Sequence, residues 1–146
     1  KKIVMRNEVR YSIPTPEILA RTSEFQLRSL GCGFRAPYVI HAARLVADGT
    51  LNLDELRLGS YVNALSTLTN IYGVGNKIAD CVMLFSLDHT EAFPVDRWIQ
   101  RALQEWYGLL DVRSYEHCRD WAQNRFGNDA GYANHYLFWR RRQLGS

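Results

Sequence analysis

The sequence predicts a mainly α-helical bundle folded as one domain over residues 1–146. Three observations carry this expectation. Apolar residues recur at helical spacing along most of the chain, a Ser, Thr, Asn or Asp stands before several of these runs, and Gly or Pro closes them. Strand-like alternation is confined to Ile3 to Val9. With 146 residues, 47% of them hydrophobic, the chain can bury one core.

Pro14 and Pro16 bracket Thr15, which caps a short helix ending near Arg21. Ser23 opens a helix over Glu24 to Leu30, stopped by Gly31 and Gly33. From about Arg35 to Asp48, the spacing of Tyr38, Val39, Ala42, Ala43 and Val46 forms an apolar stripe that ends at Gly49. Asn52 caps a turn at Leu53 to Leu58, and Ser60 begins a helix to about Asn70 with Val62, Leu65 and Leu68 pointing inward. A glycine hairpin follows, then a helix from Lys77 to Leu87. The stretch Asp88 to Pro94 breaks it and leads into a helix from about Asp96 to Tyr107. Ser114 caps Tyr115 to Phe126, and a last helix runs from about Asp129 into the arginine run.

Eighteen basic and 15 acidic residues leave a net charge of +3, too mild to demand a nucleic-acid partner. Lys1, Lys2, Arg6 and Arg10 crowd one end and Arg140, Arg141 and Arg142 the other. Such clusters suit phosphate contact, although a solvated basic end is the commoner reason for them. Cys32, Cys81 and Cys118 are odd in number and widely spaced, without a signal peptide, which points to reduced thiols and an intracellular protein. They offer no ligand set for zinc or an iron–sulfur cluster. No apolar run approaches the roughly 20 residues needed to span a bilayer.

Chemistry concentrates in two places. Gly73-Val74-Gly75-Asn76-Lys77 joins two helices, and glycine backbone can approach an anion closely at a helix start. A glycine-capped turn explains the same residues without any ligand. Lys77 is the only lysine after Lys2. A lysine is usually just solvated, but at a first helical turn the helix dipole disfavours its charge, and partial burial would add to that and raise the fraction of free, nucleophilic amine. Asp96, after Phe93-Pro94-Val95, fits an N-cap, and a carboxylate fixed that way can also stabilise a developing cation. Cys81 lies one turn after Lys77 on the same helical face, as core or as pocket lining. Phe34 and Arg35 suit stacking and phosphate or base-edge contacts, and Asn134 and Phe138 could bond and stack a base; taken singly, core or surface packing is the commoner reason for each.

Taken in order, Gly31-Cys32-Gly33-Phe34-Arg35-Ala36-Pro37-Tyr38-Val39, Gly73-Val74-Gly75-Asn76-Lys77-Ile78-Ala79-Asp80-Cys81, and Ala92-Phe93-Pro94-Val95-Asp96 closely resemble the helix-hairpin-helix base-excision DNA glycosylases with the Gly-Pro-Asp loop. Phe126-Gly127, Ala130-Gly131-Tyr132-Ala133-Asn134 and Leu137-Phe138 resemble that family's last helix. Within it the chain is most similar to the 8-oxoguanine DNA glycosylases. The likeness covers most of residues 11 to 138. It begins partway into the helical core, without a counterpart of the N-terminal β domain, as a fragment of a larger protein would.

The resemblance implies a bifunctional glycosylase/AP lyase acting as a monomer on double-stranded DNA that contains a damaged base, in the cytoplasm, nucleoid or nucleus. Lys77 would be the nucleophile at C1′ and Asp96 the carboxylate beside it. Gly73, Val74, Gly75 and Asn76 would hold the DNA backbone, and Phe34 and Arg35 would enter the duplex and meet the estranged cytosine. Cys81, Phe85, Asn134 and Phe138 would form the base pocket. No cofactor is required, and a backbone-bound cation at the hairpin is implied when DNA is bound. Two positions depart from the family: Trp98 stands where His is common, and Asn134 where Gln is usual. An oxidised-pyrimidine glycosylase of the same superfamily and a non-catalytic DNA-gripping module are the competing readings.

Overall fold

The computed structural model describes residues 2–6 and 8–145. An antiparallel hairpin of β1 (Lys2–Met5) and β2 (Glu8–Tyr11) comes first, pairing Met5 with Glu8 and Lys2 with Tyr11. The single strand expected at Ile3 to Val9 is therefore two, because the chain reverses inside the alternating stretch. Among the described residues nine α-helices follow: α1 (Pro16–Arg21), α2 (Glu24–Leu27), α3 (Ala36–Ala47), α4 (Leu53–Leu58), α5 (Tyr61–Thr69), α6 (Asn76–Ser86), α7 (Arg97–Tyr107), α8 (Tyr115–Phe126) and α9 (Ala130–Gln143). The mainly helical class read from the sequence holds.

Two compact units make up the chain. One comprises Lys1–Asn52 with Ile71–Gly73, the other Leu53–Asn70 with Val74–Ser146. In the first, Leu27, Ala36 and Ile40 form a small core flanked by Leu19, Cys32 and Val39. Helix α2 is shorter than expected. Ser23 and Gln26 close a reciprocal capping box, but after Leu27 the chain widens into a π turn and Gly31 takes φ 90, so regular hydrogen bonding ends early. On α3 the fully buried positions are Ala36, Ile40 and Ala43; of the expected stripe Ala43 is among them, and Val39 packs half-buried against the same core.

The second unit holds the larger core: Phe93, Val95, Ile99, Ala102, Leu103, Cys118, Ala122, Ala130 and Leu137, drawn from α7, α8, α9 and the loop before α7. Here α5 buries Ala64 and Leu68, while Val62 is 70% exposed and faces outward, against expectation. The 60–70 segment holds more apolar positions than one face can bury, and the smaller Ala64 takes the tight contact.

Close approach fixes the start of α9. The Gly131 N–H donates to the Thr90 carbonyl at 2.8 Å, and a Cβ at Gly131 would lie 2.2 Å from Leu84 Cδ1 and 2.9 Å from that carbonyl. Gly131→Ala should therefore cost about 1–3 kcal/mol by overpacking. A melting curve that does not move would show that α9 has room to shift.

Candidate functional site

The site lies in the second unit, at the start of α6 and the loop before α7. Lys77 is the second residue of α6. Gly75 precedes the helix in an extended conformation and offers no side-chain cap, so the first-turn N–H groups point outward unpaired by the helix. Lys77 itself is exposed, not partly buried as expected. Among the described residues no carboxylate comes within ion-pair distance of its ammonium.

Asp96 caps α7, as its place in the sequence predicts. Its Oδ1 accepts from both Trp98 N and Ile99 N at 2.9 Å. Both cap bonds fall on one oxygen, which leaves Oδ2 outside the cap. The preceding loop is pinned from α9, where buried Asn134 donates from Nδ2 to the Pro94 carbonyl at 2.8 Å. The sequence offers this side chain to a base edge; in the fold one of its amide N–H groups also holds the loop.

Lys77, Cys81, Phe85, Pro94, Asp96, Ile99, Asn134, His135 and Phe138 line one cavity of about 220 Å³. All six residues assigned from the sequence to catalysis and the base pocket thus converge here. Burial pushes the Cys81 thiol above its ordinary value, partly offset by the nearby Lys77 charge. His135 joins them without a sequence signal; it faces Phe85 edge-on at 6.1 Å. Nothing in its local sequence distinguishes it, since its place in the lining depends on a partner on another helix.

The two hairpin glycines differ in kind. Gly73 has φ 85, and a Cβ there would meet the Tyr38 ring at 2.3 Å, so the first unit's own packing demands glycine. Gly75 has φ −96, and a Cβ there would meet only open space, so the fold makes no such demand. Asn76 donates its side-chain amide to Glu116 at 2.7 Å. Val74 is half-buried. In the first unit, Phe34 is 66% exposed and the Arg35 guanidinium lies 5.1 Å from its ring centre.

The basic ends change meaning in three dimensions. Arg141 is buried, bonded to Glu105 and the Gly145 carbonyl, so it belongs to the scaffold rather than to a phosphate-binding run. Arg10 pairs with Glu8. Trp98, at the position where the family commonly has His, packs within 5.0–6.0 Å of the Arg97, Arg101 and Arg141 guanidiniums. The three cysteines are free thiols. Among the described residues no three His, Cys, Asp or Glu side chains group as a metal site.

Comparison with known proteins shows the family. Residues 1–126 match the family described as HhH-GPD superfamily base excision DNA repair protein. A probable N-glycosylase/DNA lyase of Methanothermobacter thermautotrophicus is 34% identical over 119 residues, covering 82% of this chain and 38% of that protein. An N-glycosylase/DNA lyase of Saccharomyces cerevisiae is 36% identical over 110 residues, covering 68% of this chain and 29% of that protein. The solved Clostridium acetobutylicum 8-oxoguanine glycosylase/lyase, in complex with dsDNA containing cytosine opposite 8-oxoG, superposes with a TM-score of 0.92 at 33% identity. It is matched over 100% of this chain and 50% of its own. The chain therefore spans half or less of the length of these relatives.

Gly73→Ala should lose about 1–3 kcal/mol, because an overpacked Cβ adds to an unfavourable φ. Gly75→Asn, which caps a helix well, should melt like the wild type. Equal losses for both in thermal unfolding would remove the distinction between the glycines.

Proposed function

Because the chain belongs to the HhH-GPD superfamily of base excision DNA repair proteins, we propose that it carries the chemistry of a bifunctional DNA glycosylase/AP lyase. In this reading it excises 8-oxoguanine from duplex DNA through a Schiff base on Lys77, acting as a DNA-associated monomer. The observation that carries it is the opening of Lys77 and the Asp96 carboxylate onto one cavity. The glycosylase/lyase activity of the relatives, and the 8-oxoguanine substrate of the clostridial one, support the same reading.

The Lys77 Nζ lone pair attacks C1′ of the damaged nucleoside. As the N–C1′ bond forms, the bond from C1′ to the purine breaks, and its electron pair leaves with the base, which takes up a proton. Positive charge builds on the sugar during this exchange. A carboxylate fixed beside it stabilises the transition state more than the bound substrate, and Asp96 Oδ2 serves that role. The aminated sugar then loses a proton and opens to the imine. Loss of a C2′ proton expels the 3′ phosphate, which is the lyase step.

The extruded base enters against Cys81, Phe85 and Phe138. Asn134 fixes the loop through one amide N–H, and the second N–H and Oδ1 of the same side chain remain for the base edge. The backbone N–H groups of Gly73, Val74, Gly75 and Asn76 grip the DNA backbone, and Phe34 with Arg35 enters the duplex and meets the estranged cytosine. A hard cation at the hairpin would take backbone carbonyl oxygens as ligands, since no side-chain set is present among the described residues; no step above passes through it. None of the helices in the described residues is long and apolar enough to cross a membrane.

Asp96→Asn keeps the cap, because Asn caps about as well as Asp. Its duplex affinity should stay native while single-turnover excision slows by roughly 10²-fold or more, the scale of losing one electrostatic stabiliser. Excision at the normal rate would reduce Asp96 to a cap. Gly75→Asn should weaken binding to every duplex sequence alike, since the contact is to the backbone.

A further inference from the structure

Asp80 is fully buried, in the helical turn after Lys77, and the reaction above makes no use of it. Burying a carboxylate is expensive, and an apolar residue of similar size is often at least as stable in such a place. Among the described residues no ion pair compensates Asp80; the nearby Arg119 guanidinium pairs with Asp120 instead. Two tyrosines satisfy it. Tyr61 on α5 donates its hydroxyl to Oδ1 at 2.7 Å, and Tyr115 on α8 donates to Oδ2 at 2.5 Å.

The two hydroxyls differ in what else they touch. Tyr61 meets the Gln123 side chain. The Tyr115 oxygen accepts from the Val95 N–H at 3.4 Å, one residue before Asp96. A continuous path thus runs from the helix that carries Lys77, through Asp80 and Tyr115, to the backbone that carries Asp96. On its other side the same loop is held by Asn134 at the Pro94 carbonyl.

We infer that Asp80, acting through Tyr115, is a positioning residue: it sets the Pro94–Val95–Asp96 backbone against the Lys77 helix, so that the free Asp96 oxygen stands beside the carbon that Lys77 attacks. This rests on the glycosylase/lyase reading. It accounts for a costly buried carboxylate in the turn that follows the nucleophile, where hydrophobic packing alone would serve the fold. Each oxygen accepts one hydrogen bond, so a carboxylate holds both tyrosines at once.

A matched pair of variants separates positioning from plain stability. Tyr61→Phe and Tyr115→Phe each remove one hydroxyl donor to Asp80 from a half-buried ring, so a structural role predicts similar effects from both. Positioning predicts that Tyr115→Phe alone slows single-turnover excision of 8-oxoguanine from a duplex, by about tenfold or more, with unchanged duplex affinity. Tyr61→Phe should stay within about twofold of the wild type. The measurement belongs in the natural full chain, with rates normalised to folded protein, and with borohydride trapping on a preformed abasic duplex as the control for the Lys77 amine. An active wild type whose two variants excise equally would overturn this inference alone. A wild type that neither excises nor traps would overturn the functional reading and this inference with it.

Discussion

The backbone from Pro94 to Asp96 is the constraint on which the candidate site depends. It is short, it lacks regular structure, and three different helices hold it. Asn134 on α9 takes the Pro94 carbonyl, Tyr115 on α8 meets the Val95 N–H, and Asp96 fastens itself to the first N–H groups of α7. Each hydrogen bond alone is worth only about 1 kcal/mol net. Together they remove the loop's freedom before any substrate arrives, and an electrostatic stabiliser gains most of its value from such preorganisation. The cap and the chemistry are compatible because the cap consumes one carboxylate oxygen only.

The hairpin shows the opposite economy. Gly73 is fixed by geometry, with a positive φ and the Tyr38 ring against it. Gly75 is free of both constraints, so its lack of a side chain is not required by the fold. An uncapped helix start with open space beside it suits the close approach of a phosphate. One motif therefore serves the scaffold at its first glycine and leaves the second available to a ligand.

Much of this is legible in the sequence because it is local. The caps at Ser23, Ser60, Asp96 and Ser114 depend on one side chain and an amide two or three residues away, and all four form as the sequence predicts. The six cavity residues can be named because motif spacing and family resemblance stand in for the missing third dimension. What is not legible depends on distant partners. Asp80 reads as one polar residue in an apolar helix until Tyr61 and Tyr115 are brought to it. The bond from Asn134 to the Pro94 carbonyl has no signal in its local sequence. Arg141 reads as part of a basic tail until Glu105 claims it, and Val62 reads as core until Ala64 takes the packed face.

The central claim is that the Lys77 amine bonds to the sugar, and lysine is scarce enough here to test it directly. The full chain would be incubated with an 8-oxoguanine duplex in borohydride, digested, and the adduct mapped by mass spectrometry against Lys1, Lys2 and Lys77, the three lysines of this sequence. The account predicts a reduced adduct on the peptide containing Lys77 and its loss in Lys77→Gln. A full-yield adduct in Lys77→Gln, carried by any other amine, would contradict it.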